Sequence, residues 1–343
     1  MGIKLKDLVA AQPVTLDGLA GKTLAIDTFN MLYQFLTTIR QRDGSLLTDS
    51  KGNVTSHLNG LFYRCTKFME HGLRLVFVFD GTPPGIKASE RGRRAALKQE
   101  AQGRYDEAKR AGDLESMRKF ASRTSILTDG MLAESRKLLD ALGLPVIQAP
   151  SEGEAQAAHL ARKGDAFAVV SQDFDSLLFG APRLVRNLSL EGRRKHANRL
   201  QYDVVKPELI TLSEMLSSSG IDQDQLIAAA LLIGTDYNPG GIPGIGPKNA
   251  LRLVKQYRDL DQLFQKVEWG RHSSISWKEV FDTIRHIPVT DEGTITWKLP
   301  DVDRINALLV VEHDFAADRV GQRLKKFKEQ QEARRQQGLQ QWF

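Results

Sequence analysis

Two apolar runs set the frame of the chain. Residues Thr23 to Ile26 (T-L-A-I) and Arg74 to Phe79 (R-L-V-F-V-F) predict buried strands, the second continuously apolar after Arg74 as a parallel sheet requires. A third run, A-F-A-V-V-S, precedes Asp173. Each strand delivers an acid at its carboxyl end: Asp27, Asp80 and Asp173. Helical spacing over Ser56 to Glu70, Gly130 to Leu142 and Glu154 to Arg162 alternates with these strands. The alternation predicts an α/β fold, a twisted and mostly parallel sheet with helices on both faces. In such sheets ligands bind beyond the carboxyl ends of the strands, where the three acids fall.

Between Gly81 and Thr128 the pattern turns polar. From Lys87 to Arg123 there are eleven Lys or Arg against six Asp or Glu and few apolar positions. A helix so polar has little to bury, so its own pattern predicts a segment that stands off the core or serves as a solvated linker. The basic stretch E-G-R-R-K-H-A-N-R (191–199) is turn-like and suits a surface hairpin or loop. Asp222 to Tyr257 predicts helix, turn, helix around the Gly- and Pro-rich G-G-I-P-G-I-G-P-K. Residues 260 to 318 give helical fragments without evident chemistry, and a basic tail from Arg319 closes on Q-Q-G-L-Q-Q-W-F.

Composition narrows the possibilities. The lone Cys65 excludes an intrachain disulfide and a Cys-based zinc site, which suits a reducing interior. The longest clear apolar run, Leu226 to Ile233, falls far short of the roughly 20 residues that span a bilayer, and the start M-G-I-K-L-K-D-L has no signal-type apolar region. A soluble intracellular protein without a membrane partner is expected. Net charge is +6, but setting aside seven acids singled out below leaves 48 basic against 35 acidic residues, a net +13 that favours nucleic acid.

Those seven are Asp27, Asp80, Glu152, Glu154, Asp173, Asp175 and Asp236. Oxygen-only ligands suit Mg²⁺ or Mn²⁺ rather than zinc, and two such ions held by shared carboxylates serve phosphodiester hydrolysis. Each acid also has a simpler explanation. Ser151 with Glu154 is the pattern of a capping box, Glu152 favours a helix N-terminus, and Asp27 and Asp80 suit helix caps after their strands. A capping box explains one glutamate, not acids at the ends of three strands. The turn containing Gly241, Gly244 and Gly246 offers backbone N–H groups and a helix N-terminus for phosphate, with Lys248 as cationic helper; a plain connection is the other reading.

Together these segments resemble the flap endonucleases, the structure-specific 5′ nuclease family, and most closely its archaeal members, nearly end to end. The resemblance rests on M-G-I-K-L-K-D-L, L-A-I-D-T-F-N-M-L-Y-Q-F-L, V-F-V-F-D-G-T-P-P, A-P-S-E-G-E-A-Q-A-A, S-Q-D-F-D-S-L-L-F-G and G-T-D-Y before G-I-P-G-I-G-P-K-N-A. It implies the PIN-like 5′ nuclease fold with a helical arch and a helix-two-turn-helix subdomain. The family's metal-site acids fall on all seven residues above, with two Mg²⁺ per site and Mn²⁺ as a substitute. Lys87 and Arg94 are implied at the scissile phosphate and Tyr33 as the ring near the displaced base, so the polar segment becomes the arch. Gly2 and Thr55 match positions near the active site and in the 3′-flap pocket, and the glycine turn matches a duplex-gripping element that in relatives binds K⁺. Gln336, Leu339, Trp342 and Phe343 have the spacing of a sliding-clamp peptide.

The implied organisation is a single nuclease domain over 1–325, with an N-terminal region (1–98), arch (81–128), internal region (140–225) and helix-two-turn-helix (226–260). A flexible tail follows over 326–343, with the clamp peptide at 336–343. The implied function is a monomeric 5′ flap endonuclease with secondary 5′ to 3′ exonuclease activity, acting on branched DNA during Okazaki fragment maturation and repair. A non-catalytic junction-binding or clamp-adaptor protein is the alternative. Gly153 stands where many relatives carry alanine, which predicts a looser helix start by up to about 1 kcal/mol.

Overall fold

The computed structural model describes the backbone of residues 9–121, 123–190, 192–195 and 202–340, and side chains within these except at 89, 118, 192–195, 202–204 and 333–340. Gly2, Trp342 and Phe343, and the side chains of Gln336 and Leu339, lie outside the described residues.

After a short β1 (Gln12–Pro13), the predicted strands appear as β2 (Thr23–Asp27) and β3 (Arg74–Phe79), separated by α1 (Thr28–Thr38) and α2 (Ser56–Glu70). The polar segment forms two helices, α3 (Ala88–Ala111) and α4 (Leu114–Ala121). Then come α5 (Asp129–Ala141), β4 (Val146–Gln148), α6 (Gly153–Lys163), β5 (Ala168–Val170), α7 (Asp175–Leu178) and β6 (Arg183–Arg186). The basic stretch contributes to an antiparallel pair, β7 (Gly192–Lys195) with β8 (Tyr202–Val205). Strand β9 (Glu208–Thr211) and α8 (Leu212–Ser219) lead into α9 (Gln223–Ile233) and α10 (Pro247–Gln256). Helices α11 (Leu260–Lys266), α12 (Trp277–Arg285), α13 (Val302–Asn306) and α14 (Ala317–Gln340) complete the order.

The main sheet has seven strands in the order β1-β9-β6-β5-β2-β3-β4. Strands β6, β5, β2, β3 and β4 run parallel, whereas β9 and β1 join antiparallel at one edge. Alternation of side chains across the pleat divides the core in two. Ala25, Val76, Val78 and Val169 pack with α6, α7, α9 and α10 on one face. Leu24, Ile26, Leu75, Phe77, Phe79, Ala168 and Val170 pack with α1, α2 and α5 on the other. Because both faces are covered, these strands carry apolar residues at successive positions.

Helices α3 and α4 pair with each other and, among the described residues, none of theirs belongs to either half of the core, as their polar pattern predicts. The chain reverses at Gly112, left-handed at φ 68°, and Ala101, Ala108, Met117 and Ala121 are buried. Small apolar residues at the contact allow two polar helices to pair closely. At the chain's end, α14 runs from Ala317 to Gln340, so no break in backbone structure marks the boundary expected at 326.

Candidate active site

The site begins with a backbone crossing. Gly81 N–H donates to the Ser151 carbonyl at 2.6 Å and Thr82 N–H to the Pro150 carbonyl at 3.2 Å, so the chain leaving β3 lies on the chain entering α6. A Cβ on Gly81 would stand 2.2 Å from the Ala149 carbonyl oxygen, which is why glycine is required there. Asp80 is thereby laid on the α6 N-terminus, and Gly153 N–H donates to its Oδ1 at 2.6 Å. A Cβ at 153 would reach that oxygen at 2.6 Å. The glycine expected to loosen the helix therefore also makes room for this contact.

The capping box does not form. The N-cap of α6 is Glu152, without a side-chain capping bond. Glu154 instead has a fully buried Oε1 with no hydrogen-bond partner, and its carboxyl is held well above its ordinary range by burial and by Asp175, Asp27 and Asp173. Asp27 does cap its helix, since Asn30 N–H donates to Oδ1 at 3.0 Å, while its other oxygen accepts from the Ser171 hydroxyl at 3.3 Å. Burial, then repulsion from Asp80, pushes the Asp27 carboxyl well up. Burial raises Asp80 to about 6, with Glu152 adding to the rise. Asn30 ties the cluster across the sheet by donating from Nδ2 to Asp173 Oδ2 at 3.0 Å.

Two basic side chains from the arch reach this wall. Lys87, at the end of a 3₁₀ turn (Gly85–Lys87), places Nζ 2.5 Å from Glu152 Oε1 and 3.8 Å from Asp236 Oδ2. Burial works to lower the Lys87 pKa, but Glu152, Asp236 and Asp175 outweigh it and leave it raised. Arg94 bonds Asp236 and is braced by Glu90, whose Oε1 accepts from Arg94 Nε at 2.8 Å. Hydrogen bonding from Arg93 and Arg94 holds the Glu90 carboxyl at about 2. All seven acids and both cations thus belong to one electrostatic neighbourhood. Among the described residues, no three acidic, histidine or cysteine side chains form a ready-made ion cage. The residues nonetheless fit hard cations: the donors are all oxygen, one buried oxygen lacks a partner, and burial, with mutual repulsion added to it, raises three of the carboxyls.

Other predicted residues lie around this wall. Tyr33, half-buried on α1, has Lys98 of α3 4.7 Å from its ring centre, with Nζ donating to its hydroxyl at 3.4 Å. Thr55 is buried at the α2 N-cap, and its N–H donates to the Leu47 carbonyl at 2.7 Å. Gly241 and Gly244 have φ 56° and 81°. A Cβ on Gly241 would lie 2.4 Å from the Ile233 carbonyl carbon, so the turn folds back against the end of α9. Gly246 is the N-cap of α10, Pro247 occupies its first turn, and Lys248 is exposed beside them.

One participant stands in a motif, G-T-D-Y, that gave it no role of its own. Tyr237, 4% exposed, donates its hydroxyl to Glu152 Oε2 at 2.9 Å, and Lys87 Nζ lies 4.5 Å from its ring centre. Its sequence signal was its place at the end of G-T-D-Y, beside Asp236.

Comparison with known proteins agrees with this architecture. Residues 1–101 match the XPG N-terminal domain and residues 143–236 the XPG I-region. The chain is 49% identical to Flap endonuclease 1 of Aeropyrum pernix, with 100% of both chains covered. It is 46% identical to Flap endonuclease 1 of Pyrococcus horikoshii, covering 100% of this chain and 98% of the relative. Among solved structures, flap endonuclease-1 from Methanococcus jannaschii superposes with TM-score 0.75 at 40% identity, covering 96% of this chain and 98% of that one. The catalytic core of Rad2 in complex with DNA substrate shares the fold at 23% identity, TM-score 0.68 and 95% coverage of this chain.

Proposed function

The chain belongs to the flap endonuclease family, and from that premise we propose that it is a structure-specific 5′ nuclease cutting the phosphodiester at or beside the junction of a 5′ flap with duplex DNA. A secondary 5′ to 3′ exonuclease activity at nicks and gaps and a place in Okazaki fragment maturation and repair go with this reading. The observation that carries it is the meeting of seven carboxylates from the sheet edge, α6, α7 and the end of α9 with Lys87 and Arg94 of the arch. Nearly full-length relatedness to the flap endonucleases favours it over a non-catalytic junction or clamp adaptor.

In this reading Asp27, Asp80, Glu152, Glu154, Asp173, Asp175 and Asp236 hold two divalent cations, Mg²⁺ with Mn²⁺ as a substitute. When bound, these ions supply Lewis-acid activation of water and offset the charge of the phosphodiester. The protein's own groups do the rest. Lys87 and Arg94, now paired with Glu152 and Asp236, exchange those partners for the phosphate and stabilise the charge that grows on it. Tyr33 stacks near the displaced base. The arch guides the 5′ single strand.

Gly241, Gly244, Gly246 and Lys248 grip the duplex backbone, where a K⁺ ion joins the turn, and Gly2 and Thr55 serve the cut site and the 3′-flap pocket. Such contacts recognise shape and phosphate, making binding salt-dependent and nearly independent of sequence. Gln336, Leu339, Trp342 and Phe343 dock on a sliding clamp. We take the enzyme to act as a monomer in the cytoplasm or nucleoid. No helix among the described residues is long and apolar enough to cross a membrane.

The reading is tested with Asp175→Ala. This variant should lose at least a thousandfold in cleavage while keeping junction affinity within a few-fold. Undiminished turnover would remove Asp175 from the site.

A further inference from the structure

We propose that Tyr237 is a positioning residue that holds Lys87 and Glu152 in register with the phosphate, its hydroxyl orienting the carboxylate and its ring carrying the ammonium group. The inference rests on the nuclease reading but concerns a residue outside the seven acids and the two arch cations. Each oxygen of Glu152 has a separate partner: Oε1 takes Lys87 Nζ at 2.5 Å, and Oε2 takes the Tyr237 hydroxyl at 2.9 Å. Two anchors leave the carboxylate one orientation. On the lysine side, Nζ lies 4.5 Å from the Tyr237 ring centre, within the range of cation–π attraction.

The ring itself is firmly held. Tyr237 N–H donates to Thr235 Oγ1 at 3.0 Å, Thr235 Oγ1 donates to Asn238 Oδ1 at 2.7 Å, and Asn238 Nδ2 donates to the Leu231 carbonyl at 2.7 Å. All three side chains are buried. The turn after α9 thus fixes Tyr237 to a rigid helix and places Asp236 at the same time. Lys87 comes from a distant part of the chain, the turn at the foot of the arch. When an incoming phosphate competes with Glu152 for Lys87, the aromatic face keeps the ammonium near the reacting centre. A phenol can therefore couple the arch to the acid wall without touching DNA.

Phenylalanine and leucine at 237 separate the two contacts. Tyr237→Phe keeps the ring and loses the hydroxyl, so single-turnover cleavage of a flap substrate should fall about tenfold, the equivalent of one hydrogen bond to a charged group. Junction affinity should stay within twofold. Tyr237→Leu loses both contacts and should fall about a hundredfold. In a Lys87→Ala background the Phe and Leu variants should cleave alike, because the ring no longer has a lysine to carry. A metal-free readout is the ε-methylene resonance of Lys87 in ¹³C-lysine-labelled protein, assigned with Lys87→Arg. Ring current should shift it in the native protein and in Tyr237→Phe but not in Tyr237→Leu.

Native cleavage rates in both variants, or a Lys87 resonance unmoved by Tyr237→Leu, would overturn the proposal. Should Tyr237→Leu fail to fold, the Phe variant and the ring shift in the native protein decide it. The resonance also decides the positioning claim independently of whether the chain cuts a flap.

Discussion

Crowding acids into one buried site has a stability cost that can be measured directly. Replacing Asp80 with asparagine removes a carboxyl raised from 3.8 to about 6, first by burial and then by Glu152. A group whose folded-state pKa lies above its unfolded one is unfavourable at pH above both values. The penalty shrinks as pH falls through about 6 and vanishes below 3.8. For this displacement it amounts to about 3 kcal/mol at pH 7.5 and roughly half that at pH 5. Asparagine still accepts the Gly153 N–H, and the charge lost from that bond is already contained in the displacement, so the net gain stays at about 3 kcal/mol.

With 343 residues the unfolding entropy is about 0.7 kcal/mol/K, so the expected rise in Tm is about 4 °C. The assay is calorimetric unfolding of native and Asp80→Asn protein in EDTA at pH 7.5 and at pH 5. The variant should be the more stable at pH 7.5, with the advantage diminished at pH 5 and reversed by saturating Mg²⁺, which stabilises only what it binds. Lower stability of Asp80→Asn at pH 7.5 in EDTA would refute the view that this carboxylate is held against its burial and the charge of Glu152.

Lys87→Ala should slow single-turnover cleavage about a hundredfold or more while changing junction affinity only a few-fold, as expected of a group whose main work is in the transition state; an equal loss in binding and rate would make it a DNA-binding lysine instead. Deleting residues 336–343 should leave intrinsic cleavage intact and remove stimulation by a sliding clamp. Stimulation that persists would place clamp docking elsewhere.

The sequence carried much of this in long-range pattern and little in short elements. Strands β2 and β3, helix α2 and the helices flanking the glycine turn follow from apolar runs and periodicity, and β2, β3 and α2 lie within a residue of expectation. Strands β1, β4, β6 and β9 have two to four residues each, too few for a period to show, and exist only because neighbouring strands pair with them. The arch illustrates a different limit. Its polarity says that it buries little, yet the Arg94–Asp236 pair spans 142 positions of chain, a distance over which spacing carries no signal. Competition between capping and site chemistry at Glu154 could not be resolved locally either, because the deciding groups, Asp27, Asp173 and Asp175, come from two other places in the chain. Tyr237 escaped for the same reason: a tyrosine after an aspartate has no meaning until Glu152 and Lys87 surround it.

The central claim is that these carboxylates and arch cations cut DNA at a flap junction. Its most direct measurement is release of a 5′-labelled arm from a double-flap substrate with Mg²⁺, set beside binding of the same substrate with the metal chelated. A discrete product cut at or next to the junction, formed only with the metal, is expected. Junction binding without release of the arm would contradict it.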